Sequence, residues 1–300
     1  MKKLILQSQK YQQLELEYSH WLSVLGYVES TVYLLSRHLR EFLFWLEKRG
    51  KYDIEQLEKT DINAFLDYFQ KRPNQRRSGG LSSAHINRQI ESIKKLLDYL
   101  YRVGRLELRI NLPYLAQSGI RKQAILSPCE VRCLYQSCSQ NLIGYRDKAM
   151  LGIYYGCGLR RSEGTNLTIE DINFERKILT VRKSKTGRGR YVPITSSVLA
   201  DLQAYIYEVR PLLLGGDKTA CKALFIGEHG RAIQGQSLYL RLQCLLSKSY
   251  IQKSLGLHGL RRSIATHLLQ SGMRLEDIAW FLGHRCLDST QIYTFIGPQN

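Results

Sequence analysis

Leu34, Leu35, Leu39, Phe42, Leu43 and Leu46 recur at steps of three and four residues, a period that an α-helix turns into one apolar face. The spacing predicts a helix capped by Ser30-Thr31 and closed by Gly50. The pattern returns after Ser82-Ser83, where Ile86, Ile90, Ile93, Leu97 and Leu100 share a face until Gly104 takes the usual C-terminal glycine position. A segment over 14–25 and another over 55–71, with Ala64, Phe65 and Tyr68 inside, complete a four-helix module spanning residues 7–105. Between its third and fourth helices lies Lys71-Arg72-Pro73-Asn74-Gln75-Arg76-Arg77-Ser78-Gly79-Gly80. This basic turn is either a solvated loop or a place where glycine lets the backbone approach a phosphate closely.

A polar stretch around Pro113 predicts a linker over 106–120, and a second domain over 121–300, two domains being what 300 residues readily accommodate. Its strong strand signal is Lys177-Ile178-Leu179-Thr180-Val181 followed by Arg190-Tyr191-Val192-Pro193-Ile194, two β-rich runs about a Gly-containing turn. The rest reads as helix. Lys183, Lys185, Arg188 and Arg190 crowd that one hairpin and would repel each other unless a polyanion lay over them.

The whole chain carries 44 Lys+Arg against 26 Asp+Glu, a formal charge of +18. Such a surplus makes nucleic acid the first partner to consider and an anionic membrane the second, because phosphate neutralisation releases counterions. The longest apolar runs fall far short of the roughly 18 to 20 residues a membrane span needs. The apolar stretch Leu4-Ile5-Leu6 after Lys2-Lys3 is likewise too short for a signal peptide, so a cytoplasmic protein is expected. Seven cysteines (129, 133, 138, 157, 221, 244 and 286) form no Cys-x-x-Cys pair, which predicts free core thiols and no metal site.

Three clusters place cations and proton carriers inside otherwise apolar sequence: Gly156 to Glu163 with Arg160 and Arg161, the hairpin with Lys185, and the stretch from His258 and Arg261 through His284 to Tyr293. Two Arg, two His, one Lys and one Tyr suit attack on a phosphodiester. Cations clamp the nonbridging oxygens as charge develops, Lys or His supplies a proton to the leaving oxygen, and a phenol can attack phosphorus. Such chemistry needs no metal and no other cofactor, and neither a Walker loop nor a His-Glu-x-x-His motif is present.

Taken together, Gly158-Leu159-Arg160-x-Ser162-Glu163, Lys185 with Arg190 and Val192-Pro193 behind it, His258-x-x-Arg261, Ala265-Thr266-His267-Leu268-Leu269, Leu282-Gly283-His284 and Thr290-Gln291-Ile292-Tyr293 resemble the tyrosine recombinases, or phage-type integrases. The resemblance covers essentially the whole chain and is nearest the short Xer-like and mobile-element members. Each fragment alone is weak: 278–283 would pass as part of a helix-turn-helix, and His258 or His267 as a satisfied core histidine. In fixed order over about 135 residues they are specific.

The resemblance implies a mainly α fold with a small antiparallel β-sheet: an N-terminal four-helix, SAM-like core-binding domain and a mixed α/β catalytic domain that clamp a duplex from opposite sides. It implies a site-specific DNA recombinase that breaks and rejoins strands through a 3′-phosphotyrosyl intermediate, without metal or ATP. Tyr293 would be the nucleophile, with Arg160 and Arg261 binding the scissile phosphate bidentately. Lys185 would protonate the leaving 5′-oxygen, His258 would assist proton transfer at Tyr293, His284 would bond the phosphate, and Glu163 would support the cluster. Arg72, Arg76 and Arg77 of the interhelical turn, and Lys183, Arg188 and Arg190 of the hairpin, are the expected DNA contacts. The implied partners are double-stranded DNA with inverted-repeat core sites, three further copies of the chain in a tetramer, and an accessory protein, in a nucleoid-associated cytoplasmic setting without membrane.

Arg262 stands where the family usually has His, and seven residues follow Tyr293, fewer than the tail with which many members dock on a neighbouring protomer. Two other readings share the residues. A type IB topoisomerase-like relaxing enzyme uses the same catalytic set, although the N-terminal helical module argues for recombination. A catalytically silent DNA-binding regulator would keep the fold, although all six catalytic positions are occupied.

Overall fold

Ser8 opens the first helix, its hydroxyl accepting from the Tyr11 amide at the start of α1 (Gln9–Val24). The second helix, α2 (Glu29–Glu47), begins ahead of the predicted Ser30-Thr31 cap. Val28 holds the cap position with no side-chain bond, and Glu29 places negative charge at the positive end of the helix. A 3₁₀ turn over Ile54–Gln56, capped by Asp53, delays α3 (Lys59–Lys71) past its expected start at 55. The Ser82 hydroxyl accepts from the His85 amide and opens α4 (Ser83–Arg102). These helices bury Leu14, Tyr18, Phe42, Phe65, Phe69, Leu96 and Leu100 in one core, in which Phe42 and Phe65 lie 4.8 Å apart.

This computed structural model describes residues 4–74, 78–116, 124–182, 189–215 and 221–284, and the chain divides into two compact units, Met1–Arg121 and Lys122–Asn300. The stretch expected to be a linker is in part core. Leu106, Leu108, Ile110 and Leu115 pack on the helical core, Leu112 is buried, and Asn87 clasps Leu115 through both its amide groups, accepting at 2.8 Å and donating at 2.9 Å.

The second unit starts with α5 (Pro128–Gln136), whose capping box pairs Ser127 with Glu130, and α6 (Leu142–Leu151). A π-helical turn (Gly152–Gly156) leads to the short α7 (Arg161–Thr165) and a 3₁₀ turn (Ile169–Asp171). Three antiparallel strands follow in order β1 (Ile172–Asn173), β2 (Ile178–Val181) and β3 (Arg190–Pro193), registered by Ile172 opposite Leu179, Leu179 opposite Val192, and Val181 opposite Arg190. Leu179, Val181 and Val192 point into the core, as period-two alternation requires. Then come α8 (Ser196–Gln203), a second π turn (Ala204–Val209), α9 (Arg210–Leu213), α10 (Gly235–Lys248), α11 (Leu257–Gln270) and α12 (Leu275–Leu282). The fold is thus mainly helical with one small antiparallel sheet. Its second core gathers Met150, Tyr154, Leu202, Tyr205, Leu242 and Leu260.

The expectation of core thiols holds for Cys138 and Cys157 but not for Cys129 and Cys133, which lie on the exposed face of α5 opposite Val131 and Leu134. Among the described residues no helix is long and apolar enough to cross a membrane.

Candidate active site

The π turn that ends α6 sets the first arginine. Cys157 donates to Gly152 five residues back at 2.9 Å, and this wider turn fits because Gly152 and Gly156 lie against Val198, where a Cβ would come within 2.8 and 2.7 Å of its methyls. Gly158 then takes a left-handed conformation at φ +61°, with a virtual Cβ 2.9 Å from Leu282. The chain reverses there and presents Arg160 at the start of α7.

The far wall is the end of α12. Gly283 adopts φ +66°, its amide donates to Trp280 at 3.0 Å, and the His284 amide donates to Ala279 at 2.9 Å, a Schellman termination. The next three carbonyls, left without helical partners, each accept from a different arginine. Arg190 Nε reaches Phe281 O at 2.9 Å, Arg261 Nη2 reaches Leu282 O at 2.7 Å, and Arg160 Nη2 reaches Gly283 O at 2.9 Å. Three arginines from three elements therefore meet on one helix end, whose negative dipole favours them.

Glu163 joins the same arginines from the other side. Its carboxylate accepts from the Arg160 amide at 2.9 Å and from Arg160 Nη1 at 2.7 Å, takes both Nη groups of Arg190 at 3.1 Å, and lies 3.8 Å from Arg261 Nη1. Burial would push this carboxyl up, but the hydrogen bonds and charge of Arg190, followed by those of Arg160, outweigh it and hold it down at about 2. Arg261 is fully buried and also donates to Gly158 O at 2.7 Å.

Two histidines share this field. His258, at the head of α11, sits below its ordinary pKa, first through desolvation and then through Arg261, Arg262 and Arg160. His284 is lowered to about 4 by burial and by Arg261, Arg160, His258 and Arg190. Each histidine feels both Arg160 and Arg261, so the four groups form one electrostatic unit. His267 stands apart in a structural role. It bridges Leu126 O at 2.9 Å and the Tyr155 hydroxyl at 2.8 Å; with Nε2–H donating to the carbonyl, the neutral ring accepts a hydrogen bond from the phenol at Nδ1.

The structure thus brings together Arg160, Glu163, His258, Arg261 and His284. Lys185 and Tyr293, and the expected DNA contacts Arg76, Arg77, Lys183 and Arg188, lie outside the described residues. Two expected DNA contacts are turned inward. Arg190, read as part of a basic hairpin surface, has a side chain only 6% exposed, because Glu163 and Phe281 O take up its guanidinium. Arg72 folds back onto Glu41 at 2.5 Å and over the Phe69 ring at 4.9 Å. It borders a concavity of about 490 Å³ that Arg37, His85 and Arg88 also line. No group of three or more His, Cys, Asp or Glu that could hold a metal ion occurs among the described residues. Sequence reasoning missed the π turn and the arginine set on α12; the paired glycines at 152 and 156 were the available signal for the first.

Residues 124–299 match the model of the phage integrase family. The tyrosine recombinase XerD of Listeria monocytogenes serotype 4b is 30% identical over 286 residues, 93% of this chain and 93% of that protein. XerD of Pseudomonas aeruginosa is 31% identical over 281 residues, covering 92% and 89%. Two solved structures share the fold. The XerH site-specific recombinase, bound to palindromic difH substrate in a post-cleavage complex, aligns with a TM-score of 0.70 at 20% identity, over 96% of this chain and 82% of that one. The Tn1549 transposon integrase in complex with transposon right end DNA gives 0.69 at 19% identity, over 95% and 94%.

Proposed function

Because the chain belongs to the phage integrase family and is a site-specific tyrosine recombinase, we propose that the cluster around Glu163 holds the scissile phosphate of a DNA core site while Tyr293 attacks it. The observation that supports this most is the convergence of charge: three guanidiniums meet on one carboxylate, and both neighbouring histidines are held below their ordinary pKa, first by burial and then by the surrounding arginines. Such a cationic field suits a phosphodiester.

In this reading Arg160 and Arg261 bind the nonbridging oxygens and stabilise the charge that grows on them. The Tyr293 oxygen forms the new bond to phosphorus as the bond to the 5′-oxygen breaks. The phenolic proton leaves by way of His258, and Lys185 protonates the 5′-oxygen. The 3′-phosphotyrosyl ester conserves the bond energy, so a partner strand's 5′-hydroxyl reverses the step without ATP. His284, neutral in the free protein, gains a proton or donates a hydrogen bond once the phosphate offsets the arginines. The helical unit contributes duplex contacts through Arg76 and Arg77. The substrate is an inverted-repeat core site in the cell's own or mobile DNA, engaged by four copies of the chain, with an accessory protein selecting the outcome.

Covalent capture tests this. The protein is incubated with sheared host DNA, denatured in detergent, and the linked fragments are sequenced, with Tyr293→Phe alongside. Adducts that depend on Tyr293 and share a short inverted repeat are expected, and Tyr293→Phe should abolish them while leaving DNA binding within a few-fold. Adducts that persist in Tyr293→Phe would remove Tyr293 as nucleophile. Binding should also weaken steeply with salt, in proportion to the phosphates contacted.

A further inference from the structure

Arg190 has every guanidinium nitrogen engaged inside the protein, although the sequence set it on the most basic stretch of the chain. We propose that Arg190 is a positioning residue for strand cleavage: it locks Glu163 and the end of α12 together, and so fixes Arg160, Arg261 and the backbone at His284. The proposal rests on the functional reading above and adds to it a residue that never touches DNA.

Three observations carry it. First, Arg190 and Arg160 share both oxygens of Glu163, so the carboxylate orienting Arg160 is itself oriented by a planar, two-point contact from β3. Second, the same guanidinium bonds Phe281 O, the first of the three carbonyls whose next two members hold Arg261 and Arg160. Third, Gly283 lies against it so closely that a virtual Cβ would come within 2.8 Å of Arg190 Nη1 and 2.9 Å of its Cδ. The height of the helix end over the site is therefore set by contact with Arg190. Lysine keeps the charge but cannot make the planar two-point contact with Glu163 and also reach Phe281 O.

The test compares Arg190→Met, Arg190→Lys, Glu163→Gln and the double variant Arg190→Met/Glu163→Gln in the covalent-capture assay with sheared host DNA, across pH 4.5 to 8. DNA retention and melting temperature are measured for each. Arg190→Met is expected to bind DNA within about two-fold of wild type yet form adduct about 100-fold more slowly, the loss typical of an ångström-scale misplacement. It should also gain a new acid limb. Without Arg190 the strongest pull against burial at Glu163 is lost and its pKa rises, so the adduct rate falls as pH is lowered into the range where Glu163 protonates. That limb should vanish in the double variant, where residue 163 no longer titrates. A merely structural arginine would lower the melting temperature and the adduct rate without adding a titration.

If Arg190→Met fails to fold, Arg190→Lys decides: a rate well below wild type at equal DNA binding supports the proposal, and a wild-type rate overturns it. Wild-type adduct with an undiminished Arg190→Met rate, or a loss that follows DNA binding at every pH, overturns this inference alone. Absence of adduct from wild type overturns the functional reading, and this inference with it.

Discussion

In the helical unit each of three part-buried cations has its own carboxylate: Arg40 pairs with Glu15 at 2.8 Å, Lys51 with Asp61 at 2.6 Å and Arg72 with Glu41 at 2.5 Å. In the catalytic unit Arg160, Arg190 and Arg261 share Glu163 at 2.7, 3.1 and 3.8 Å. A one-to-one pair is electrically closed and asks nothing of a ligand. Three on one concentrates positive charge at one place, partly spread into the backbone carbonyls of α12, a field suited to an anion. Two histidines show how far the fields resemble each other. Both are lowered to about 4, first by burial: His38 of the helical unit then by His85, Arg37 and Arg88 against an opposing hydrogen bond to Gln89, and His284 then by Arg261, Arg160, His258 and Arg190.

The largest expected effect breaks the shared arrangement. Glu163→Ala leaves buried guanidiniums facing one another and should cost about 3–5 kcal/mol, read by denaturant unfolding of the second unit. Glu41→Ala in the helical unit strands a single arginine near the surface and should cost less, about 1–3 kcal/mol. Equal losses would mean that sharing one carboxylate carries no special weight.

Acidification sharpens the same contrast. His38 takes up a proton more readily when unfolded than when folded, so stability of the helical unit should be full above pH 6.5 and fall as pH drops toward about 4. His38→Gln should flatten that slope, followed by hydrogen exchange in α2 and α4. His284 imposes a slope of the same sign on the catalytic unit, but there an anion should oppose it by favouring the protonated ring. Inorganic phosphate is therefore expected to flatten the acid slope of α11 and leave α2 unchanged. The contribution of Glu163, held at about 2, should be full above about pH 4.5 and be lost progressively as pH falls from there toward 2.

The smallest effect concerns the thiols. Cys129→Ser and Cys133→Ser should leave stability within about 0.5 kcal/mol, as surface changes do. In the native protein a thiol reagent should label those two promptly and spare Cys138 and Cys157, both buried and pushed up to about 12.

Much of this was legible in the sequence because it is local. The periodic leucines of α2 and isoleucines of α4, the glycine stops and the alternating hairpin each follow from neighbours a few residues apart. What escaped was non-local. Arg190 looks like surface charge until Glu163, 27 residues earlier, and Phe281, 91 residues later, are folded against it. Its polar residues mark 106–120 as a linker, although Leu106, Leu108, Ile110 and Leu112 alternate as a chain packed along one side does. Residue type alone places the cysteines of α5 inward, whereas Val131 and Leu134 already define the buried face.

The arginines are gripped by main chain at Phe281, Leu282 and Gly283, which gives the site an uneven tolerance to genetic change. Substitutions at Trp280, whose side chain is largely exposed, leave the carbonyl ladder in place. Insertion or deletion of one residue within α12 turns its end by about 100° and shifts it by about 1.5 Å, carrying all three acceptors off their donors at once. Lineages of this protein are therefore expected to vary the letters of α12 freely on its outer face while keeping its length.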